Sequence, residues 1–437
     1  LLTVKQLPLW GKIIYGSGSG GFSLIDRVLI TWLFYYYITS PLEGVEALMP
    51  PFAFGIIMFL GRAIDAVADP LIARWSDNYS GRMGRRMPFM FFSGFAYVAV
   101  FVLLFYPPVA ETSVLNSVYL AVLLGLYFTL FTAYVGPYLA LLPELARTTQ
   151  DRVDLATFRA VFMLLGIGIA LIGSGILIGI YGFHGMVWIM AALGLVLLYL
   201  PFAIKEKDYA DSEPATLGLV EALKTTYQNK PFIIYLVGNV TFWLGFNIIT
   251  LNLPLYVTVL LRGTEEQTSI YFGIAFGVAL IFFPIINIAS KKLGLKPVMM
   301  FALIAFMVLL PLFYILGQPV FGLTPELFGY LLLGLVGLPV GVILIVPDAI
   351  VAEVSDLEGK LSGQKREAMY FGAQGFVLKL ALGLSTVISG ALLQLFGSTL
   401  AQPLGIQLTG PVSALFILIG LIVFSRYPEK EVREYRR

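Results

Sequence analysis

Apolar runs recur along this chain near residues 20–41, 50–75, 87–108, 113–143, 155–180 and 183–204. After a polar stretch from Lys205 to Lys230 they resume near 232–261, 267–290, 296–317, 324–354, 368–396 and 405–426. Each approaches or exceeds the roughly 20 apolar residues that carry a helix across a bilayer. The pattern predicts an all-α membrane protein: twelve transmembrane helices in two six-helix halves. The halves are residues 1–204 and 232–437, with 205–231 as a cytoplasmic linker. Internal repeats are a common way to build such proteins. Here the count of runs carries that reading, because the two halves share little else in sequence.

Composition supports the membrane assignment. The chain is 59% hydrophobic and 12% charged, against about half and a quarter for soluble domains. The absence of cysteine removes disulfides and thiol catalysis, and His184 alone cannot build a histidine metal site. An enzyme is not expected, since a nucleophile–base pair or metal centre is missing. A resident cofactor is not expected either. A net charge of +2 gives nucleic acid nothing to bind. No cleavable signal peptide is expected, and Leu1 fits numbering that starts after a trimmed segment.

Charge placement predicts the orientation. Lys5, Lys12, Arg82, Arg85, Arg86, Arg147, Arg152, Lys205, Lys291, Lys292 and the basic C-terminus fall on one side of the twelve-span arrangement. Glu43, Glu46 and Glu111 fall on the other. By the positive-inside rule both termini are cytoplasmic, in a plasma (inner) membrane protein expected to be monomeric.

Charges inside the apolar runs are the candidate chemistry, because each costs at least about 2.5–3.5 kcal/mol unless paired or hydrated. Arg62, Asp65 and Asp69 are spaced i, i+3, i+7 in the second run and share a helix face. Two carboxylates one turn apart offer hard oxygen ligands to Na⁺ or carry a proton, and Arg62 offsets part of their charge. A structural ion-pair network is the plainer alternative. Lys379, deep in the eleventh run, is expected to meet those acids and act in charge coupling. Asp26 and Arg27 are adjacent in the first run, so they point about 100° apart. Arg159 is a candidate substrate or pairing residue. Asn239, Asn247 and Asn252 in the seventh run either bind substrate or bond across helices. Asp348 and Glu353 in the tenth read equally as latches at a helix end. The aromatic run Trp32 to Tyr37 reads as an interfacial belt ahead of a sugar-stacking platform.

The loop with Asp77, Gly81, Arg82, Gly84, Arg85 and Arg86 resembles the cytoplasmic signature of the major facilitator superfamily. Within it, the chain is similar to the glycoside–pentoside–hexuronide:cation symporters, the melibiose permease-like family. That resemblance rests on Tyr15-Gly16-Ser17-Gly18, Arg62-x-x-Asp65-x-x-x-Asp69-Pro70, Pro137-Tyr138, Arg159, Gly363-Gln364-Lys365-Arg366-Glu367, Gln374 and Lys379. It implies a cation site at Asp65 and Asp69 with Thr132 as a neutral ligand. It also implies charge coupling through Lys379 and a cavity bordered by Arg159 and Gln374. The substrate candidates are then Ser23, Asp26, Tyr138, Arg159, Asn247 and Gln374. The cytoplasmic gate is assigned to Asp77, Arg82, Arg85, Arg86, Glu353 and Arg366. Two departures matter: Ser23 and Val135 stand where the family's sugar-binding aspartates fall, and Leu139 where a tryptophan does. Sodium-dependent lysophospholipid symporters are also similar. The expected function is Na⁺- or H⁺-coupled symport of a small organic solute, a sugar or glycoside, by alternating access. Transport of an amphiphile, or a non-transporting receptor or scaffold, are the alternatives.

Overall fold

A computed structural model of the chain describes residues 6–39, 47–79, 81–209, 227–320, 322–362, 367–429 and 432. It is built almost wholly of helices and divides into two compact units, Leu1–Thr216 and Leu217–Arg437. The N-terminal unit holds α1 (Leu9–Thr39), α2 (Pro51–Asn78), α3 (Met87–Leu103), α4 (Val114–Leu145), α5 (Thr149–Gly168) and α6 (Ser174–Tyr199). The C-terminal unit holds α7 (Lys230–Leu255), α8 (Glu265–Leu293), α9 (Leu295–Leu309) and α10 (Pro325–Ile343). It continues with α11 (Val346–Ser362), α12 (Glu367–Phe396) and α13 (Leu404–Phe424).

Among the described residues, nine helical stretches are long and apolar enough to cross a bilayer, and Met87–Leu103 is a shorter apolar helix. One of the nine, Gln150–Ala203, has 54 residues, more than twice what one crossing needs. Its path leaves helical geometry at Gly182, with φ 69° and ψ 178°. That glycine lies between the fifth and sixth runs of the hydropathy pattern. The tenth run is likewise divided, into α10 and α11. Pro347 sits in the first turn of α11, where a missing N–H goes unnoticed.

The first helix begins well before the apolar run expected from residue 20. The stretch Gly16-Ser-Gly-Ser-Gly-Gly21 has turn composition, yet it lies inside α1. In a membrane such residues let helix backbones approach closely. A Cβ added to Gly166 of α5 would lie 2.3 Å from the Gly20 carbonyl oxygen. The serines satisfy themselves against neighbouring backbone. Ser19 Oγ donates to Arg159 O at 2.6 Å, and Ser17 Oγ to Leu197 O at 3.0 Å. Lys12, counted among the bases of the positive side, is buried at the start of α1 and pairs with Asp151 and Asp154 at 2.7 Å each.

The aromatic run of α1 is not an interfacial belt. Trp32, Tyr36 and Tyr37 are at most 1% exposed. A buried tyrosine needs a partner for its hydroxyl, and the end of α3 supplies one, since the last carbonyls of a helix lack intrahelical donors. Tyr36 donates to Phe105 O, Tyr37 to Leu104 O and Tyr119 to Leu103 O, each at 2.9 Å. His184 packs flat on Tyr106 at 4.3 Å beside this cluster.

Candidate cation and substrate site

The charged face of α2 packs on α4. Thr132 of α4 is 1% exposed and Asp65 of α2 fully buried, while Asp69 one turn later is exposed. Thr132 Oγ1 lies 2.5 Å from Asp65 Oδ1 and 3.2 Å from Asp69 Oδ1. A hydroxyl has one proton, so it donates to one carboxylate at a time and presents a lone pair to the other. Two carboxylate oxygens therefore share one hydroxyl, a competition that a monovalent cation or a proton beside them would relieve. Pro70, inside α2, also has no N–H to give to the Ala66 carbonyl.

Arg62 is buried beside this group. Its guanidinium lies 3.6 Å from Asp65 Oδ2 and 3.5 Å from Asp26 Oδ1 on α1. It also stands over the Phe128 ring at 4.4 Å from the centroid, a favourable place for a cation.

The other substrate candidates in this unit are spread over α1, α4 and α5. Ser23, Asp26 and Arg159 are half-buried. Tyr138 is committed to α1: its hydroxyl donates to Tyr15 O at 2.8 Å, Tyr15 returns the bond to Tyr138 O, and the rings stack at 4.6 Å. In the C-terminal unit, Asn247 Nδ2 donates to Ser385 Oγ at 2.6 Å and Asn252 Nδ2 to Ser389 Oγ at 2.9 Å, both bonds crossing to α12. Gln374 Oε1 accepts from Tyr235 Oη at 2.8 Å. Asn239 is fully buried, and neither atom of its amide has a hydrogen-bond partner among the described residues. Lys379 is half-buried on α12, Glu353 half-buried on α11, and Asp348 exposed near the start of α11.

The gate loop between α2 and α3 forms a tight polar cluster. Arg86 pairs with Asp77, donates to Ser76 Oγ at 2.6 Å, and meets Glu144 Oε1 at 3.1 Å. Arg85 reaches the same oxygen at 2.6 Å, and Arg82 is exposed. Arg366, with Gly363 to Lys365, lies outside the described residues. Two acids that sequence reasoning missed hold this cluster together, Glu144 and Glu206. The Glu206 carboxylate accepts from the backbone N–H of Arg85 at 2.5 Å, Arg86 at 3.0 Å and Met87 at 2.8 Å. It thereby caps the N-terminus of α3, where the helix dipole favours an anion. Gly84 has φ 110°, and a Cβ there would lie 2.4 Å from the same carboxylate. The available signal was that both acids stand among the bases of the positive side.

The C-terminal unit repeats this device. Glu429 Oε1 accepts from Leu295 N at 2.6 Å and Lys296 N at 3.1 Å, capping α9. Gly294 precedes them with φ 105°, and its added Cβ would meet Glu429 at 2.6 Å.

Comparison with known proteins agrees with this architecture. Residues 14–428 match the family model described as MFS/sugar transport protein. The uncharacterized symporter YnaJ of Bacillus subtilis (strain 168) is 24% identical, over 99% of this chain and 94% of that protein. Sodium-dependent lysophosphatidylcholine symporter 1 of Xenopus tropicalis is 23% identical, over 98% of this chain and 88% of that protein. Among solved structures, the nucleoside transporter NupG superposes with a TM-score of 0.71 at 15% identity, covering 95% of this chain and 98% of that one.

Proposed function

Since the chain belongs to the MFS/sugar transport protein family, we propose that it is a cation-coupled symporter of a small organic solute, a sugar or glycoside, working by alternating access. One observation carries the coupling: two carboxylate oxygens converge on a hydroxyl that can satisfy only one of them. In this reading Na⁺ or H⁺ occupies Asp65, Asp69 and Thr132. Arg62 holds the buried carboxylate and Asp26 in place. Lys379 is the charge-coupling residue of the C-terminal unit, and Ser23, Asp26, Arg159, Asn247 and Gln374 are the candidates for substrate recognition. No resident cofactor enters the cycle.

The direct test is uptake into proteoliposomes of a solute panel, with and without a Na⁺ or H⁺ gradient. Asp69→Asn should abolish cation-driven uptake while leaving the protein folded, because this carboxylate is exposed and outside the packed interior. Unchanged cation stimulation in that variant would remove the site assignment.

A second reading has its own support. Ser23, Val135 and Leu139 put no carboxylate or indole where a sugar clamp is expected, and Leu139 is 40% exposed. Those side chains suit an amphiphile better than a polyol. Cation-dependent uptake of a lysophospholipid, with no sugar transported, would select this branch.

A further inference from the structure

A second concavity lies on the N-terminal unit, away from the carboxylate site. A hollow of about 290 Å³ is lined by Arg82, Lys205 and Lys207, with Met87 and Phe202 on its apolar side and Asp208 among its lining residues. A second hollow, of about 380 Å³, is formed by Phe91, Phe92, Phe95, Leu195 and Tyr199 of α3 and α6. The two share a wall: Phe202 of the first stands 5.4 Å from Phe91 and 5.1 Å from Tyr199 of the second.

The chemistry changes from one end of this surface to the other. Arg82, Lys205 and Lys207 are exposed. Glu206 lies among them, but its carboxylate is turned to the backbone N–H groups of residues 85–87. Among the described residues that line the hollow, Asp208 is therefore the acid left to oppose three cations. The second hollow is aromatic, with Phe92 72% and Phe95 64% exposed on a helix of membrane-like composition. A cationic hollow that continues into an aromatic groove along two apolar helices matches a ligand with an anionic head and a long apolar tail. A free phosphate would leave the groove unused, and an apolar peptide would have no use for the cations.

We propose that this surface is a binding site for an anionic phospholipid of the bilayer. The phosphate lies against Arg82, Lys205 and Lys207, and an acyl chain runs along Phe91, Phe92 and Phe95. Basic pockets at the end of a helix bundle where positive charge collects take such headgroups. The bound head would sit on the loop that Glu206 and Gly84 hold in place, so occupancy should stabilise that loop.

The test is the melting temperature of the delipidated, detergent-purified protein. It is titrated with dioleoyl phosphatidylglycerol, dioleoyl phosphatidylcholine, dihexanoyl phosphatidylglycerol or glycerol 3-phosphate. Dioleoyl phosphatidylglycerol should raise the melting temperature, and the choline lipid should not. The exposed pair Lys205→Gln and Lys207→Gln should melt normally without lipid and weaken the phosphatidylglycerol response roughly tenfold or more. Phe92→Gln with Phe95→Gln should erase the advantage of dioleoyl over dihexanoyl chains. Equal stabilisation by both dioleoyl lipids would overturn the proposal, as would an undiminished response in the lysine variant. A full effect from glycerol 3-phosphate alone would make this a site for free phosphate and also overturn it.

Discussion

Thr132 has one proton to give and two carboxylates within reach. That imbalance is the physical reason to place a cation beside it, and it sets the test. Thr132→Val keeps the shape and removes the hydroxyl. It should weaken cation affinity at least about tenfold, since even groups behind the direct ligands carry that much. It should also cost about 1–3 kcal/mol of stability, because buried Asp65 loses a hydrogen bond. Thr132→Ser should restore most of both, measured by Na⁺ titration of uptake and of melting temperature. A wild-type Na⁺ response in the valine variant would leave the hydroxyl a packing role alone.

The helix ends are where the two units repeat themselves. In each, an acid beyond the last long helix accepts the first N–H groups of an earlier helix: Glu206 at α3 and Glu429 at α9. In each, a glycine at positive φ clears the space for it: Gly84 at 110° and Gly294 at 105°. An alanine there meets two penalties, a left-handed φ and a Cβ pressed on a carboxylate. Gly84→Ala and Gly294→Ala should each destabilise by about 1–3 kcal/mol, read as a lower melting temperature. Glu206→Gln keeps one oxygen but loses the charge at the helix N-terminus, so a smaller loss is expected. Similar losses from the two glycine variants would mark the devices as equivalent, and indifference at Gly294 would make the echo decorative.

At the scale of the whole molecule, the proposals concern orientation and coupling. The bias of basic residues to one side predicts that reporter fusions at either terminus report the cytoplasm. An exported C-terminus would break the twelve-span arrangement, because an even number of crossings returns the chain to its starting side. Lys379 lies in the C-terminal unit, and the proposed ion ligands lie in the N-terminal one. If the lysine couples charge to transport, Lys379→Ala should lower cation-driven accumulation while leaving solute exchange at equal concentrations measurable. Wild-type accumulation in that variant would reduce the lysine to a structural part.

Much of the architecture follows from the sequence alone, because burying a helix in lipid demands a long apolar run that no loop can imitate. The helical membrane class, the break near Gly182 and the placing of Asp65 and Asp69 on one face all come from spacing. The start of α1 does not, since Gly16 to Gly21 has the composition of a turn until the α5 backbone is set against it. Nor does the role of Trp32 to Tyr37, where the Tyr36 and Tyr37 hydroxyls are fixed by carbonyls at an α3 end far along the chain. Glu144 and Glu206 are single acids among bases, and only folding brings them to Arg85, Arg86 and the α3 N-terminus. Thr132 enters the sequence reading through a family resemblance, and its distances to the two carboxylates come from the packing of α4 on α2. The division has one cause. Hydrophobic period and charge bias are local properties of a chain, whereas the partner of a buried polar group is set by contacts between distant residues.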